Sequence, residues 1–365
     1  METATLYPFL FEPNLHPVVW GGNLLTHWKG LPDTGKPIGE SWEVSTVPGS
    51  ISTITNGVHC GRDLSAVIGE MPEQILGHKV AQDNDNQLPL LVKFIDAHRD
   101  LSIQVHPNDD MAMAHHQKRG KSEMWYVIDA KPGAFLYVGF SQSLCKDGAP
   151  VTSENKEEAL GEYRRRVADG SIVELLAKHE VKAGDAFYIP AGRVHAICSG
   201  ILLAEVQQSS DVTYRIFDYN RPGTDGRLRA LHTDLAAEAL DYHVEENYRA
   251  IYNYKENCAN LIVRSPYFSV RVSDITGPFH RNLLKYDSFI ITMCLHGDCR
   301  IRLRTDGSEV ALREGYSTLI PAAIADFDVI PDNPEGQTQI LDAFIDNKPE
   351  DISSILSRFL HLHRT

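Results

Sequence analysis

Cysteine is scarce and unpatterned in this chain. Its six residues (Cys60, Cys145, Cys198, Cys258, Cys294, Cys299) include no C-x-x-C pair. Neither a disulfide framework nor a thiolate zinc knuckle is written into the sequence, and free thiols in a reducing compartment are expected. Positive charge is also short. The 35 Lys and Arg stand against 49 Asp and Glu, a net charge of −14. That balance argues against a nucleic-acid or anionic-membrane surface. It leaves room for an anionic metabolite in a locally basic pocket. No apolar run approaches the roughly 18 residues of a membrane span. The opening METATLYPFL lacks the basic and apolar regions of a signal peptide. A cytoplasmic protein is expected.

A chain of 365 residues has room for two domains at the usual size of about 150 residues each. Short apolar runs separated by Gly and Pro dominate it, which predicts an all-β-dominated fold of barrels or jelly rolls with a few short helices. Leu101, Ile103 and Val105 alternate with Ser102, Gln104 and His106, the period of a strand with its polar members on one face. Such a polar face is costly to bury unless something binds it. A second strand, 122-SEMWYVI-128, puts Glu123 and Trp125 on one face. The run Phe187 to Ile189 enters a Pro-Ala-Gly turn that delivers His195. Gln104, His106, Glu123 and His195 thus form a candidate metal set. Nitrogen and oxygen donors without thiolate suit Zn²⁺, and next Fe²⁺ or Mn²⁺. The competing reading is ordinary histidine on a surface, since the chain has 16 of them.

Helices are predicted over 63–77, with Asp63 as N-cap and Gly77 beyond the end, and over 153–168, 171–181, 228–240 and 351–361. Arg164-Arg165-Arg166 could clamp a phosphate, but a charge run on a helix is more often a solvated face. Lys93 interrupts the apolar run 88–97, so it sits either at a sheet edge or against a polar pocket. Trp20 and Trp42 read as core packing. The segment 184–197 lines up with 315–329, matching Gly184 to Gly315, Pro190 to Pro321 and His195 to Asp326. Two related β-domains follow, 1–245 with the site and 246–365 without it.

These motifs resemble a known family. The run 184-GDAFYIPAGRVH-195 fits the second cupin motif. The first cupin motif, usually H-x-H, is Q-x-H here, with its carboxylate displaced to Glu123. With 20-WGGNL-24, 39-GESWEVS-45, 88-LPLLVK-93, 101-LSIQVHP-107, 120-GKSEMWY-126 and 205–215, the chain resembles the type I mannose-6-phosphate isomerases in their short bacterial form, across roughly residues 8–345. The resemblance implies two cupin domains and one Zn²⁺ on Gln104, His106, Glu123 and His195. It also implies a catalytic Arg215 and interconversion of mannose and fructose 6-phosphates through an enediol.

Such chemistry needs an electrophile, a base and a grip on the phosphate. Arg215 can stabilise the enediolate or hold the phosphate. Lys121 is the candidate base, because an amine beside a cation loses its proton more readily; otherwise it pairs with Asp109 or Asp110. Ser102 is a further phosphate contact, so the substrate-binding set is Ser102, Lys121 and Arg215. The expected partner is a small sugar phosphate, without nucleic acid or membrane, and the chain is a monomer or homodimer. A non-catalytic sugar-binding cupin, or another cupin isomerase or epimerase, is the alternative.

Overall fold

The computed structural model describes residues 6–347 apart from 224, 334 and 335. It contains two β-sandwiches, each made of two facing antiparallel sheets. In the first, a six-stranded sheet runs in the order Asn14–Gly22, Ile38–Val44, Leu90–Ala97, Ile201–Gln208, Glu123–Ala130, Ala186–Ile189. It faces a five-stranded sheet ordered Tyr214–Phe217, Ile103–Val105, His195–Ile197, Phe135–Phe140, Leu176–Glu180. In the second, a six-stranded sheet faces the four strands Phe279–Asn282, Asp326–Pro331, Cys299–Leu303 and Glu309–Leu312.

Alternation decides what each sheet face does. Val92, Phe94, Ala204, Val206, Met124 and Tyr126 point out of the first sandwich. They share one core with Val270, Val272, Ile291, Met293 and Leu341 of the second. The two six-stranded sheets therefore pack back to back, with the helices Leu64–Glu70, Pro72–Leu76 and His78–Asp83 at their margin. The opposite residues of the first sheet, Ile95, Ala97, Trp125, Val127 and Leu203, fill the inside of the first sandwich. The helices Lys156–Asp169 and Thr233–Ala239 cover the outer face of the five-stranded sheet. We propose a domain division between 245 and 246, with the early strand Phe9–Leu10 belonging to the second unit's sheet, where it pairs with Ser317–Ile320.

Several local expectations change. The 63–77 helix is two helices broken at Met71, because Pro72 disfavours helical geometry in the residue before it. Asp63 precedes the first helix without a capping side-chain bond. The predicted helix 171–181 is a single 3₁₀ stretch, Ser171–Leu175, followed by the edge strand Leu176–Glu180. That strand pairs with Phe135–Phe140, a partner that local periodicity could not reveal. The expected helix 351–361 lies outside the described residues.

Within the aligned segments the strands Ala186–Ile189 and His195–Ile197 correspond to Ser317–Ile320 and Asp326–Pro331, with one change of register. Asp326 does not occupy the place of His195. It points outward to the exposed His280, 2.7 Å away, and Phe327 points inward instead. Phe327 pairs with Arg281 as His195 pairs with Gln104, and Ile290 pairs with Ile320 as Glu123 pairs with Ile189. The positions of Gln104, Glu123 and His195 therefore hold Arg281, Ile290 and Phe327. Arg281 is buried on Asp342 at 2.5 Å. A guanidinium and two apolar side chains cannot hold a cation there.

Candidate metal centre and active site

Two strand pairings build the site. Gln104 lies opposite His195 on one side and Arg215 on the other, so three neighbouring strands set Arg215, Gln104 and His195 side by side. Residues directly opposite each other share a sheet face. His106 follows Gln104 by two positions, past the end of its strand. Glu123 opens its strand in the facing sheet, between Gln207 and Ile189. The sandwich interior is thus closed by one polar cluster.

His106, Glu123 and His195 are at most 1 % exposed. Their candidate ligand atoms all lie within 4.8 Å of one another, the one such grouping of His, Cys, Asp and Glu among the described residues. His106 Nδ1 donates to the Val212 carbonyl at 2.9 Å, and His195 Nδ1 donates to the Arg193 carbonyl at 2.8 Å. Each Nε2 therefore carries its lone pair inward. His106 Nε2 is 3.4 Å from Glu123 Oε2, and His195 Nε2 is 3.5 Å from Glu123 Oε1. The edge of a tetrahedron with bonds of about 2.1 Å is about 3.4 Å, so each histidine stands at ligand-to-ligand distance from one oxygen of Glu123. His106 Nε2 and both Glu123 oxygens are buried without a hydrogen-bond partner. Orphaned polar atoms of this kind call for a ligand. The Gln104 amide nitrogen lies 3.3 Å from His195 Nε2, and half a turn of the amide puts its oxygen at the same spacing. Ser102 donates to Gln104 Oε1 at 3.3 Å, so Ser102 bears on the orientation of that amide.

Burial, then the Lys121 ammonium, pushes the His106 imidazole down to about 3; burial also lowers His195. Both rings are therefore neutral, the form that ligates metal. Burial would raise Glu123, but the Lys121 ammonium outweighs it and holds the carboxyl well below its usual range. Lys121 is itself buried, with Nζ 3.4 Å from Glu123 Oε2. Its partner is the candidate ligand, not Asp109 or Asp110; Asp109 accepts from Gly120 N and Gln208 instead. Arg215 Nη1 donates to the Ala230 carbonyl at 2.9 Å, while its buried Nε has no partner. The arginine run is not part of the site. Arg165 and Arg166 pair with Glu162, Asp169 and Glu174 on the outer helix.

A second polar layer lies beside the centre, its members far apart in the sequence. Lys93 is in a central strand, not at an edge. Its Nζ lies 3.1 Å from Glu205 and 3.8 Å from Glu40, over the Trp42 ring. Trp125 Nε1 donates to Glu205 at 3.1 Å, and Trp42 Nε1 to Glu40 at 2.6 Å. Trp42 and Trp125 are thus core residues that also hold carboxylates in place. Burial raises the Glu205 carboxyl, and Lys93 offsets part of that. Lys93 within an apolar run was the available signal for this layer.

Fold and site together define the class: a double cupin whose first sandwich carries a buried His–Glu–His cluster able to hold a metal. Comparison with known proteins narrows it. Residues 9–132 match the model of the phosphomannose isomerase type I catalytic domain, and residues 259–340 match the mannose-6-phosphate isomerase cupin domain. A mannose-6-phosphate isomerase of Streptococcus mutans is 33% identical over 318 residues, covering 87% of this chain and 93% of the relative. A probable mannose-6-phosphate isomerase of Bacillus subtilis is 33% identical over 326 residues, covering 88% and 96%. The crystal structure of a Bacillus subtilis mannose 6-phosphate isomerase superposes with a TM-score of 0.79 at 28% identity, over 92% of this chain and 99% of that one. The chain belongs to the type I phosphomannose isomerase family and is an isomerase. Among the described residues no helix is long and apolar enough to cross a membrane.

Proposed function

We propose that this isomerase interconverts mannose 6-phosphate and fructose 6-phosphate through an enediol, with one Zn²⁺ per chain on Gln104, His106, Glu123 and His195. The observation that carries the reading is the set of orphaned ligand atoms, all within 4.8 Å of one another, beside a buried lysine. It occurs in a chain one third identical, along most of its length, to proteins named for this reaction. Neutral imidazoles, a carboxylate and an amide oxygen favour zinc over metals that need thiolate. When bound, the ion supplies Lewis acidity toward a sugar oxygen.

The chain's own groups do the rest. Lys121 is the proton carrier between the two adjacent sugar carbons, since it is buried at the centre and has rotatable donors. Arg215, on the same sheet face as Gln104, stabilises the negative charge of the enediolate or grips the phosphate. Ser102 orients Gln104 and offers a hydroxyl to the substrate. Glu205, Lys93 and Glu40 form a polar wall for sugar hydroxyls. The test is a coupled assay of mannose, glucose and fructose 6-phosphates side by side, with metal analysis of the same preparation. Conversion between the mannose and fructose phosphates with bound zinc is expected. Preference for the glucose phosphate would mark a different sugar-phosphate isomerase.

A further inference from the structure

The segment that follows the Arg215 strand carries charge that the metal centre does not use. Asp218 is 4 % exposed, yet it bears a full carboxylate's worth of contacts. Arg221 donates to its Oδ1 from Nε at 3.1 Å and from Nη2 at 2.9 Å. Arg229 forks onto both oxygens, Nε to Oδ2 at 2.6 Å and Nη2 to Oδ1 at 2.5 Å. Arg221 Nη1 also reaches the Asp100 carbonyl, two residues before Ser102. The pair is anchored where the strand bearing Gln104 begins. Arg215 Nη1 donates to the carbonyl of Ala230, the residue that follows Arg229, at 2.9 Å.

Two guanidiniums therefore share one carboxylate, with a third beside them, in a chain of net charge −14. Arg221 and Arg229 are partly open, with side chains 18% and 23% exposed. Among the described residues Arg229 Nη1 and Arg215 Nη2 make no hydrogen bond. Gathering like charges is costly unless an anion arrives, and a phosphate monoester carries about −1.5 to −2 charges with oxygens that match forked donors.

On the proposed substrate class, we infer that Asp218 is a positioning residue: it holds Arg221 and Arg229 beside Arg215 as the rim that receives the substrate's phosphate. The competing account is a staple that merely ties down the segment. A staple would affect stability without moving phosphate affinity.

The test uses the full-length, zinc-loaded protein and the variants Asp218→Asn, Arg229→Met and Arg229→Lys. The readouts are KM and kcat for mannose 6-phosphate, the inhibition constant of inorganic phosphate, metal content and thermal midpoint. Asp218→Asn and Arg229→Met should each raise KM and the phosphate constant about tenfold or more, the usual effect of losing a charge-assisted bond. The value of kcat should change less than KM, with zinc retained. Arg229→Lys should recover only part, because an ammonium keeps the charge but not the fork. If Asp218→Asn does not fold, Arg229→Met decides. Unchanged KM and phosphate constant in Arg229→Met, or a loss confined to kcat or to the thermal midpoint, would overturn the inference. If the parent fails to turn over mannose 6-phosphate, the functional reading fails alone. Calorimetric binding of inorganic phosphate to parent and Arg229→Met then still tests the rim.

Discussion

Lys93→Met removes the cation between two buried carboxylates. Lys93 Nζ sits 3.1 Å from Glu205 and 3.8 Å from Glu40, and the Lys93 and Glu205 side chains are 7% and 4% exposed. Deleting one partner of a buried pair costs about 3–5 kcal/mol, because the survivor stays charged without a counter-ion. Glu205 can escape part of that cost by binding a proton. Burial raises its pKa even with Lys93 present, and loss of the ammonium raises it further. A carboxyl with a raised folded pKa costs the fold nothing below its unfolded value of about 4.3. The cost grows as pH climbs from that value to the folded one, and then levels off. The variant's stability deficit should therefore be smallest in acid and widen toward neutral and alkaline pH. Adding Glu205→Gln should restore most of the loss, since a neutral pair of similar volume has no charge to strand. Glu40 keeps its bond from Trp42. Urea unfolding of parent, single and double variants across about pH 5 to 8 reads this directly. A deficit that does not vary with pH, or a double variant as weak as the single, would refute the reasoning.

Other outcomes follow from the site. His106→Ala and His195→Ala should each lose bound metal and activity, seen by metal analysis and turnover, because three ligands remain where four are needed. Arg215→Ala should keep its metal and lose about 10²–10³ in rate, the typical effect of removing one preorganised charge. If Arg215→Ala binds a phosphate analogue normally, its role is in the chemistry; lost analogue binding makes it a phosphate grip. Lys121→Ala should abolish exchange of the substrate C2 proton with solvent. Lys121→Arg should not restore it, because arginine stays protonated. An anomalous-scattering map of zinc-loaded crystals should show one ion per chain and none near Arg281, Phe327 or Asp326.

Much of the site was legible because the chemistry lies in short local patterns. The Q-x-H alternation, the Glu123 strand and the turn before His195 each declare a polar face in an apolar setting. The structure brings those residues together through strand pairings that alternation implies. What stayed hidden depended on partners far along the chain. Leu176–Glu180 read as helix until its pairing with Phe135–Phe140 was known. Lys93 announced a polar pocket, but Glu40 and Glu205 reach it only through register across three strands. Asp326 matched His195 in sequence, yet it faces outward while Phe327 takes the inward place. The Asp218 cluster sits in an irregular segment, where no period links Arg229 to a carboxylate 11 positions earlier.

We propose an enediol isomerisation run by the His106–Glu123–His195 centre with Lys121. Its most direct test is NMR of mannose 6-phosphate with the zinc-loaded protein in deuterated water. Fructose 6-phosphate carrying deuterium at C1 is expected, with both conversion and label lost in His195→Ala. No conversion, or conversion that never admits solvent deuterium, would contradict it.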